Sequence, residues 1–324
     1  MTASVAHFNI LERLGGGALG EVYRARDTKV GRTVALMMAP PELVADPSLR
    51  ARFLDDARIA AGLNHPNIAT LFDVVEQDDR CYLAYEFAAG PSLRQEMGGM
   101  PVNPRRALDL AAHIADGLSE GHAHGLVHGD VRPETIVVTP KGSAKILNFG
   151  MARWTAGGAA RARAAGSSEV LAGDDAHIAG YLSPEQALGA AADSRTDIFS
   201  FGAVLYEMFT GRQPFAAPTT AATVMNVVRH TPARPSTVNP SLPVEIDAIL
   251  SKSLAKDLEG RYQTAALLAA DLRRVATALD VSAGDAARTE LIPIEEERTN
   301  SIVWIAVVGG LLAIALVWWY LQRG

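Results

Sequence analysis

Hydrophobic and polar positions follow two different periods along this chain, and the change of period divides it. Between Glu21 and Phe87 four short runs, EVYRARD, TVALMMA, ATLFDVVE and CYLAYEF, are rich in β-branched and aromatic residues and broken by turns, which predicts strands. Between the second and third, LRARFLDDARIAAGL carries apolar residues at helical spacing and predicts one helix. After Pro104 the helical period takes over in RRALDLAAHIADGLSEGHAHG, TDIFSFGAVLYEMFTG, EIDAILSKSL and TAALLAADLRRVATAL. A small β-rich part followed by a larger helical part predicts an α+β fold of two lobes.

Three stretches depart from these periods. Thr155 to Gly173 (TAGGAARARAAGSSEVLAG) is rich in Gly and Ala, lacks a strand pattern, and reads as a long flexible loop. Residues 276–301, with a Ser-Ala-Gly-Asp turn and the acidic run Glu295 to Glu297, read as a solvated juxtamembrane tether. Ile302 to Leu321 is a run of 20 residues without a charge. As a helix it is about 30 Å long, the hydrocarbon thickness of a bilayer. Trp304 lies near one end and Trp318, Trp319 and Tyr320 near the other, where amphipathic rings prefer to sit. The segment is therefore expected to be a single C-terminal membrane span. Ala306 with Gly310, and Gly309 with Ala313, are small pairs through which two copies of the span can approach, although glycines are also simply common in membrane helices.

Composition narrows the classes. At 324 residues, 48% hydrophobic and 20% charged, the chain is long and apolar enough to fold. A net charge of -6 argues against a basic nucleic-acid binder, so no nucleic-acid partner is expected. The single cysteine, Cys81, excludes an intrachain disulfide and a cysteine zinc cluster. The N-terminus has neither a basic nor an apolar leader region. A tail-anchored protein at the cell membrane, with its folded part in the cytoplasm, is the expectation.

The chemistry lies in a series of short motifs. Gly15-Gly16-Gly17-Ala18-Leu19-Gly20, followed by Val22, has the form G-x-G-x-x-G, which by itself fits a dinucleotide-binding turn as well. It sits between strands, however, and does not open a helix. Downstream come Val34-Ala35-Leu36-Met37, His65-Pro66-Asn67, His128-Gly129-Asp130, Asn148-Phe149-Gly150, Ser183-Pro184-Glu185, Asp197 to Gly202, and Arg261.

In this order and spacing the motifs resemble those of bacterial, eukaryotic-like Ser/Thr protein kinases, across residues 8–275. The resemblance implies a two-lobed kinase-like fold, with a β-rich N-lobe over about 8–88 and a helical C-lobe over about 89–275. It implies nucleotide contacts from Gly15, Gly17, Gly20 and Val22, with Ala35 and Val137 closing on an adenine. Glu86, Phe87 and Ala88 would form the hinge, behind Tyr85. It implies a spine of His128, Phe149 and Leu71, a backbone cap from Asp197, and a buried pair of Glu185 with Arg261.

The same resemblance exposes departures at the chemical positions. The phosphate-binding lysine is Met37, and its helix partner, ordinarily Glu, is Asp56. The two metal-ligand positions are Asn148 and Thr135, so no metal is expected there. Asp130 keeps the position of the catalytic base, and Arg132 replaces the loop lysine. Gly129 stands for the preceding arginine, and His177 and Ile178 replace the usual Gly and Thr. Gly16, Ala18 and Leu19 bring no substitute charge, and Arg24 and Arg26 read as solvent-facing. ATP binding, if retained, is expected to be weak and independent of Mg²⁺. His122, His124 and His128 mimic a metal cluster but read as a helix end and a spine residue. Ser167, Ser168 and Thr155 are candidate phosphate acceptors, with Arg161 and Arg163 nearest, and equally read as ordinary loop residues.

The expected function is that of a membrane-anchored pseudokinase, a signalling scaffold or allosteric partner of other signalling proteins such as an active kinase. The alternative is a weakly active or atypical ATP-dependent Ser/Thr kinase.

Overall fold

The β-type runs of the first third pair into one antiparallel sheet. In the computed structural model, which describes residues 4–17, 20–41, 45–151, Trp154, 176–291, Gly310, Trp318, Trp319 and Gln322, this sheet has six strands. They are β1 (Ser4–Val5), β2 (Phe8–Gly17), β3 (Gly20–Asp27), β4 (Thr33–Met38), β5 (Leu71–Gln77) and β6 (Arg80–Glu86), in the spatial order β1-β2-β3-β4-β6-β5. Alternation decides the faces: in β4, Val34 and Leu36 join one apolar cluster while Met37 and, partly, Ala35 belong to the other, larger core. One helix, α1 (Pro47–Ala61), crosses from β4 to β5. Asp46 caps it, accepting the N–H groups of Ser48 and Leu49, and its inner face buries Phe53, Asp56, Ala57 and Ala60.

The second lobe is helical. After α2 (Leu93–Met97), α3 (Pro104–Ala123) opens with Asn103 as cap and Pro104 in its first turn, and buries a stripe from Ala107 to Gly121. A 3₁₀ turn (Pro133–Thr135) leads into the small hairpin of β7 (Ile136–Val138) and β8 (Ala144–Ile146). Then follow α4 (Ala176–Ala179), α5 (Pro184–Ala187), α6 (Ser194–Thr210), α7 (Thr220–Arg229), α8 (Pro235–Val238), α9 (Glu245–Ser253) and α10 (Ala265–Leu291). Helix α6 is buried along almost its whole length, as its nearly continuous apolar run requires. The lobes are stitched through β8: Ala69 N–H donates to Ile146 O and Ile146 N–H to Asn67 O, both at 2.8 Å.

The chain divides into two units after Leu279, and both lobes belong to the first. Helix α10 continues to Leu291, through the first part of the stretch expected to be a tether from residue 276. Ala276, Ala278, Ala283, Ala286 and Ala287 favour helix, and no proline interrupts before Pro293, so the lone Gly284 does not end it. Among the described residues no helix is long and apolar enough to cross a membrane. The expected span at 302–321 lies outside them except for Gly310, Trp318 and Trp319, as does the whole loop 155–173 with its Ser and Arg candidates.

Candidate active site between the lobes

The glycine motif is the turn of the β2–β3 hairpin, with Gly15 opposite Val22 and Gly17 opposite Gly20. Gly20 has φ +123°, and a Cβ there would stand 2.2 Å from Met38 O, so the hairpin can lie this close to β4 only with glycine. Val22 pairs with Met37, and Ala35 pairs with Arg24 on one side and Tyr85 on the other. Val137, in β7 of the second lobe, is buried. Arg24 is held by Glu12 at 2.7 Å and its guanidinium carbon lies 5.7 Å from the Phe87 ring centroid, while Arg26 is exposed.

At the joint between lobes, Glu86 donates its N–H to Thr70 O at 2.8 Å, and its carboxylate accepts from Lys145 at 2.9 Å. No hydrogen bond engages the Ala88 backbone among the described residues. Tyr85 is buried, which pushes its phenol pKa up, and its hydroxyl has no hydrogen-bond partner among the described residues.

The catalytic-loop region is braced from below by Asp197 at the start of α6. Its carboxylate accepts the N–H of His128 at 2.8 Å and of Gly129 at 2.7 Å, and meets His122 Nε2 at 2.8 Å. Gly129 has φ +75°, a left-handed conformation strained for any side chain, and its carbonyl accepts from Gln186 at 2.8 Å. His128 accepts the Asp130 N–H at its Nδ1 and meets Leu147 O at 2.9 Å through Nε2. Its ring stands edge-on to Phe149 with centroids 5.3 Å apart. Leu71 belongs to the same core as Phe149.

Asp130, Arg132, Thr135, Asn148, Met37 and Asp56 occupy the chemical positions. Asp130, largely shielded, is ion-paired with Arg132, whose Nε lies 3.1 Å away. The Thr135 hydroxyl is turned into the loop, close to Asp130 O at 3.0 Å and Arg132 O at 2.9 Å, while it accepts the Arg132 N–H. Asn148 has φ +58°, a conformation that Asn tolerates better than most residues. Met37 is 5% exposed and packs in the main core. Asp56, buried on α1, accepts the indole N–H of Trp154 at 2.6 Å.

Sequence reasoning missed a network that reaches Asp130 only through Arg132, which lies 3.7 Å from Glu134. Arg94 of α2 binds Glu134 at 2.8 Å and Glu207 at 2.6 Å and also reaches the Tyr181 hydroxyl. Burial works against the Glu134 charge, but the Arg94 hydrogen bond, a backbone N–H and the charges of Arg94 and Arg132 together outweigh it and hold the carboxyl below its usual range. His177 meets the same Glu134 at 3.2 Å, and Gln213 donates to the His177 carbonyl. Trp154 was missed too. The only signal available was a lone indole beside a Gly/Ala-rich run, with its partner on a distant helix. Among the described residues no cluster of His, Cys, Asp and Glu has the form of a metal site. His124 points to Glu120, on its own helix.

Deeper in the second lobe, Glu185 and Arg261 form a bidentate pair at 2.7 and 2.9 Å. Burial opposes the Glu185 charge, and the Arg261 hydrogen bonds, a backbone N–H, the Arg261 charge and the Thr196 hydroxyl together overcome it, so this carboxyl titrates below the ordinary range.

A β-rich lobe with a glycine hairpin, joined to a helical lobe with a His-x-Asp loop, defines a protein kinase domain. The protein kinase domain family matches residues 8–272. The serine/threonine-protein kinase PknB of Mycolicibacterium smegmatis is 36% identical over 300 residues, 91% of this chain and 46% of that protein. PknB of Mycobacterium tuberculosis is 37% identical over 273 residues, 83% of this chain and 42% of that protein. The crystal structure of the M. tuberculosis PknI kinase domain aligns with TM-score 0.65 at 24% identity, covering 84% of this chain and 98% of that one, a likeness of fold. The chain belongs to the protein kinase family, in its bacterial eukaryotic-like Ser/Thr branch. It spans less than half the length of these curated relatives.

The family implies ATP with Mg²⁺, and the residues fit only part of that group. Val22 and Ala35, partly buried against the main core, with Val137 and the unengaged Ala88 backbone, are of a kind that would suit an adenine. The metal and triphosphate do not fit. Thr135 spends its hydroxyl on the loop, Asn148 brings a neutral amide, and Met37 brings no charge.

Proposed function

We propose that this chain is a pseudokinase anchored to a membrane by its C-terminal segment, acting as a scaffold or allosteric partner for other signalling proteins. The observation that carries the reading is Met37. A buried thioether occupies the position where the resemblance expects an ammonium for the nucleotide phosphates. Phosphoryl transfer in this fold is mostly positioning and electrostatic stabilisation. Losing one preorganised electrostatic partner typically costs about 10²–10³ in rate. Here the lysine and both metal-ligand types differ together, and Asp130 is tied to Arg132. ATP, if held, is held by its adenine, weakly and without Mg²⁺. The anchor reading rests on the uncharged run 302–321, and the partner reading on a domain that keeps its packing residues while losing its chemical ones.

The test is incorporation of labelled phosphate into the protein itself or a generic protein substrate. The expected result is no signal above an Asp130→Ala control. Incorporation abolished by Asp130→Ala would sink the reading. It would favour the weak or atypical Ser/Thr kinase, for which the retained and well-braced Asp130 speaks.

A further inference from the structure

A cavity of about 630 Å³ lies in the helical lobe. It is bounded by α6, by residues 231–235 leading into α8, and by the end of α9 with the residues that follow it to Lys256. It shares no residue with the interlobe site. Its volume suits a small organic ligand. Pro235, Leu250 and Leu254 give it buried apolar walls. The carbonyls of Ala255 and Lys256 are held by Arg261 at 2.6 and 3.2 Å, so one side of the cavity is pre-formed.

The polar lining has needs that the chain itself does not meet. Tyr206 of α6 is 5% exposed, and its hydroxyl has no hydrogen-bond partner among the described residues. Unlike the Tyr85 hydroxyl it is not sealed in the core, and its side chain lines the cavity. A phenol buried this far ordinarily finds a partner, and this one has a proton to give. Two cations share the lining. Neither Arg234 nor Lys256 forms an ion pair among the described residues. The Lys256 ammonium has only the Val227 carbonyl, at 2.6 Å, and the faces of the Phe215 and Phe199 rings, 3.9 and 5.0 Å from their centroids. Burial and the nearby Arg261 push its pKa down to about 8, a strain that an anion beside it would relieve. The single carboxylate of the lining, Asp247, is engaged by Ser236, accepting its N–H at 2.9 Å and its hydroxyl at 2.6 Å.

We propose that this cavity binds a small organic acid, an aryl or branched-chain carboxylate, with its apolar body against Leu250 and Leu254 and its carboxylate accepting from Tyr206 in the field of Arg234 and Lys256. The assignment holds whether or not the interlobe site transfers phosphate.

The test is ligand-observed saturation-transfer NMR on the full chain, titrated with benzoate, 2-naphthoate and isovalerate, and with 2-naphthylmethanol as a neutral counterpart. At least one acid is expected to bind with a Kd of about 1 mM or tighter, and the alcohol more weakly than 2-naphthoate. Tyr206→Phe keeps the ring and deletes the hydroxyl. It is expected to weaken the bound acid about tenfold or more, the factor that a hydrogen bond to a charged group is worth. Arg234→Gln, at an exposed position, is expected to weaken it about two- to fivefold. Millimolar ATP is expected to leave the signal unchanged. If none of the three acids reaches that affinity, the proposal is overturned. The same follows from equal binding in Tyr206→Phe, or from an alcohol bound as tightly as the acid. Displacement by ATP also overturns it, because the acid would then sit between the lobes. Phosphate incorporation plays no part in this readout, so failure here and failure of the pseudokinase reading are separately visible.

Discussion

Removing the carboxylate of Glu185 tests the energetic frame of the second lobe. The Arg261 side chain has no exposure to solvent, and that of Glu185 is 10% exposed. The guanidinium gives two hydrogen bonds to the carboxylate, at 2.7 and 2.9 Å, and three to the carbonyls of Ala255, Lys256 and Arg195, at 2.6, 3.2 and 3.2 Å. Thr196 adds a third bond to the carboxylate, at 2.8 Å. Glu185→Ala leaves the carbonyls in place but strands a fully buried cation without its anion. Breaking one side of such a pair costs about 3–5 kcal/mol, against a total stability of about 5–15 kcal/mol. At about 2–4 °C per kcal/mol for a domain of this size, the melting temperature should fall by roughly 6–20 °C. Urea unfolding followed by far-UV circular dichroism should show a lower midpoint with an unchanged slope. The double change Glu185→Leu with Arg261→Met should recover more than half of the loss, because the penalty lies in the uncompensated charge and not in the missing contact. A loss under about 1 kcal/mol for Glu185→Ala, or a double variant as weak as the single one, would refute this reasoning.

Gly121 of α3 faces Phe149 so closely that a Cβ would stand 2.1 Å from its Cζ. Gly121→Ala should therefore displace the Phe149 ring and cost about 1–3 kcal/mol in urea unfolding, and a neutral result would contradict that packing. Lys256 donates to Val227 O at 2.6 Å and lies 3.9 Å from the Phe215 ring centroid, and burial, with Arg261 adding, pushes its ammonium pKa down to about 8. The folded state then gives up this proton before the unfolded chain does, so stability from this group rises between about pH 8 and the ordinary value of 10.5. Urea midpoints at pH 8 and pH 10 should diverge between wild type and Lys256→Met, and parallel midpoints would argue against the shift.

The parts of the fold legible in the sequence are those with enough length to show a period. Helices α3 and α6 announce themselves by their apolar runs, and β3 to β6 by β-branched runs. The hairpin of β7 and β8 has strands of three residues each, too short for an alternation to register. Strand β2 ends in its glycines, so it reads as a motif and not as a strand. The extension of α10 to Leu291 is hidden by the Ser-Ala-Gly-Asp turn signal around Gly284. The site divides in the same way. Motif spacing identified the positions of Asp130, Asn148, Glu185 and Arg261, but a motif does not carry its partners. The ion pair that closes Arg132 on Asp130, the inward turn of the Thr135 hydroxyl, and the bond from Trp154 to Asp56 all depend on tertiary approach. The last joins residues 98 positions apart.

The central claim, that the interlobe site has lost its metal and phosphate chemistry while keeping a place for adenine, is tested most directly by thermal unfolding of the full chain with ATP, in Mg²⁺ and then in EDTA. A ligand present at 100 times its Kd adds about 2.7 kcal/mol of stability, so binding of consequence is measurable. The account predicts a stabilisation well below that at millimolar ATP, and the same in both conditions. A stabilisation that appears with Mg²⁺ and vanishes in EDTA would mean that Asn148 or Thr135 still holds a metal, and would contradict the account.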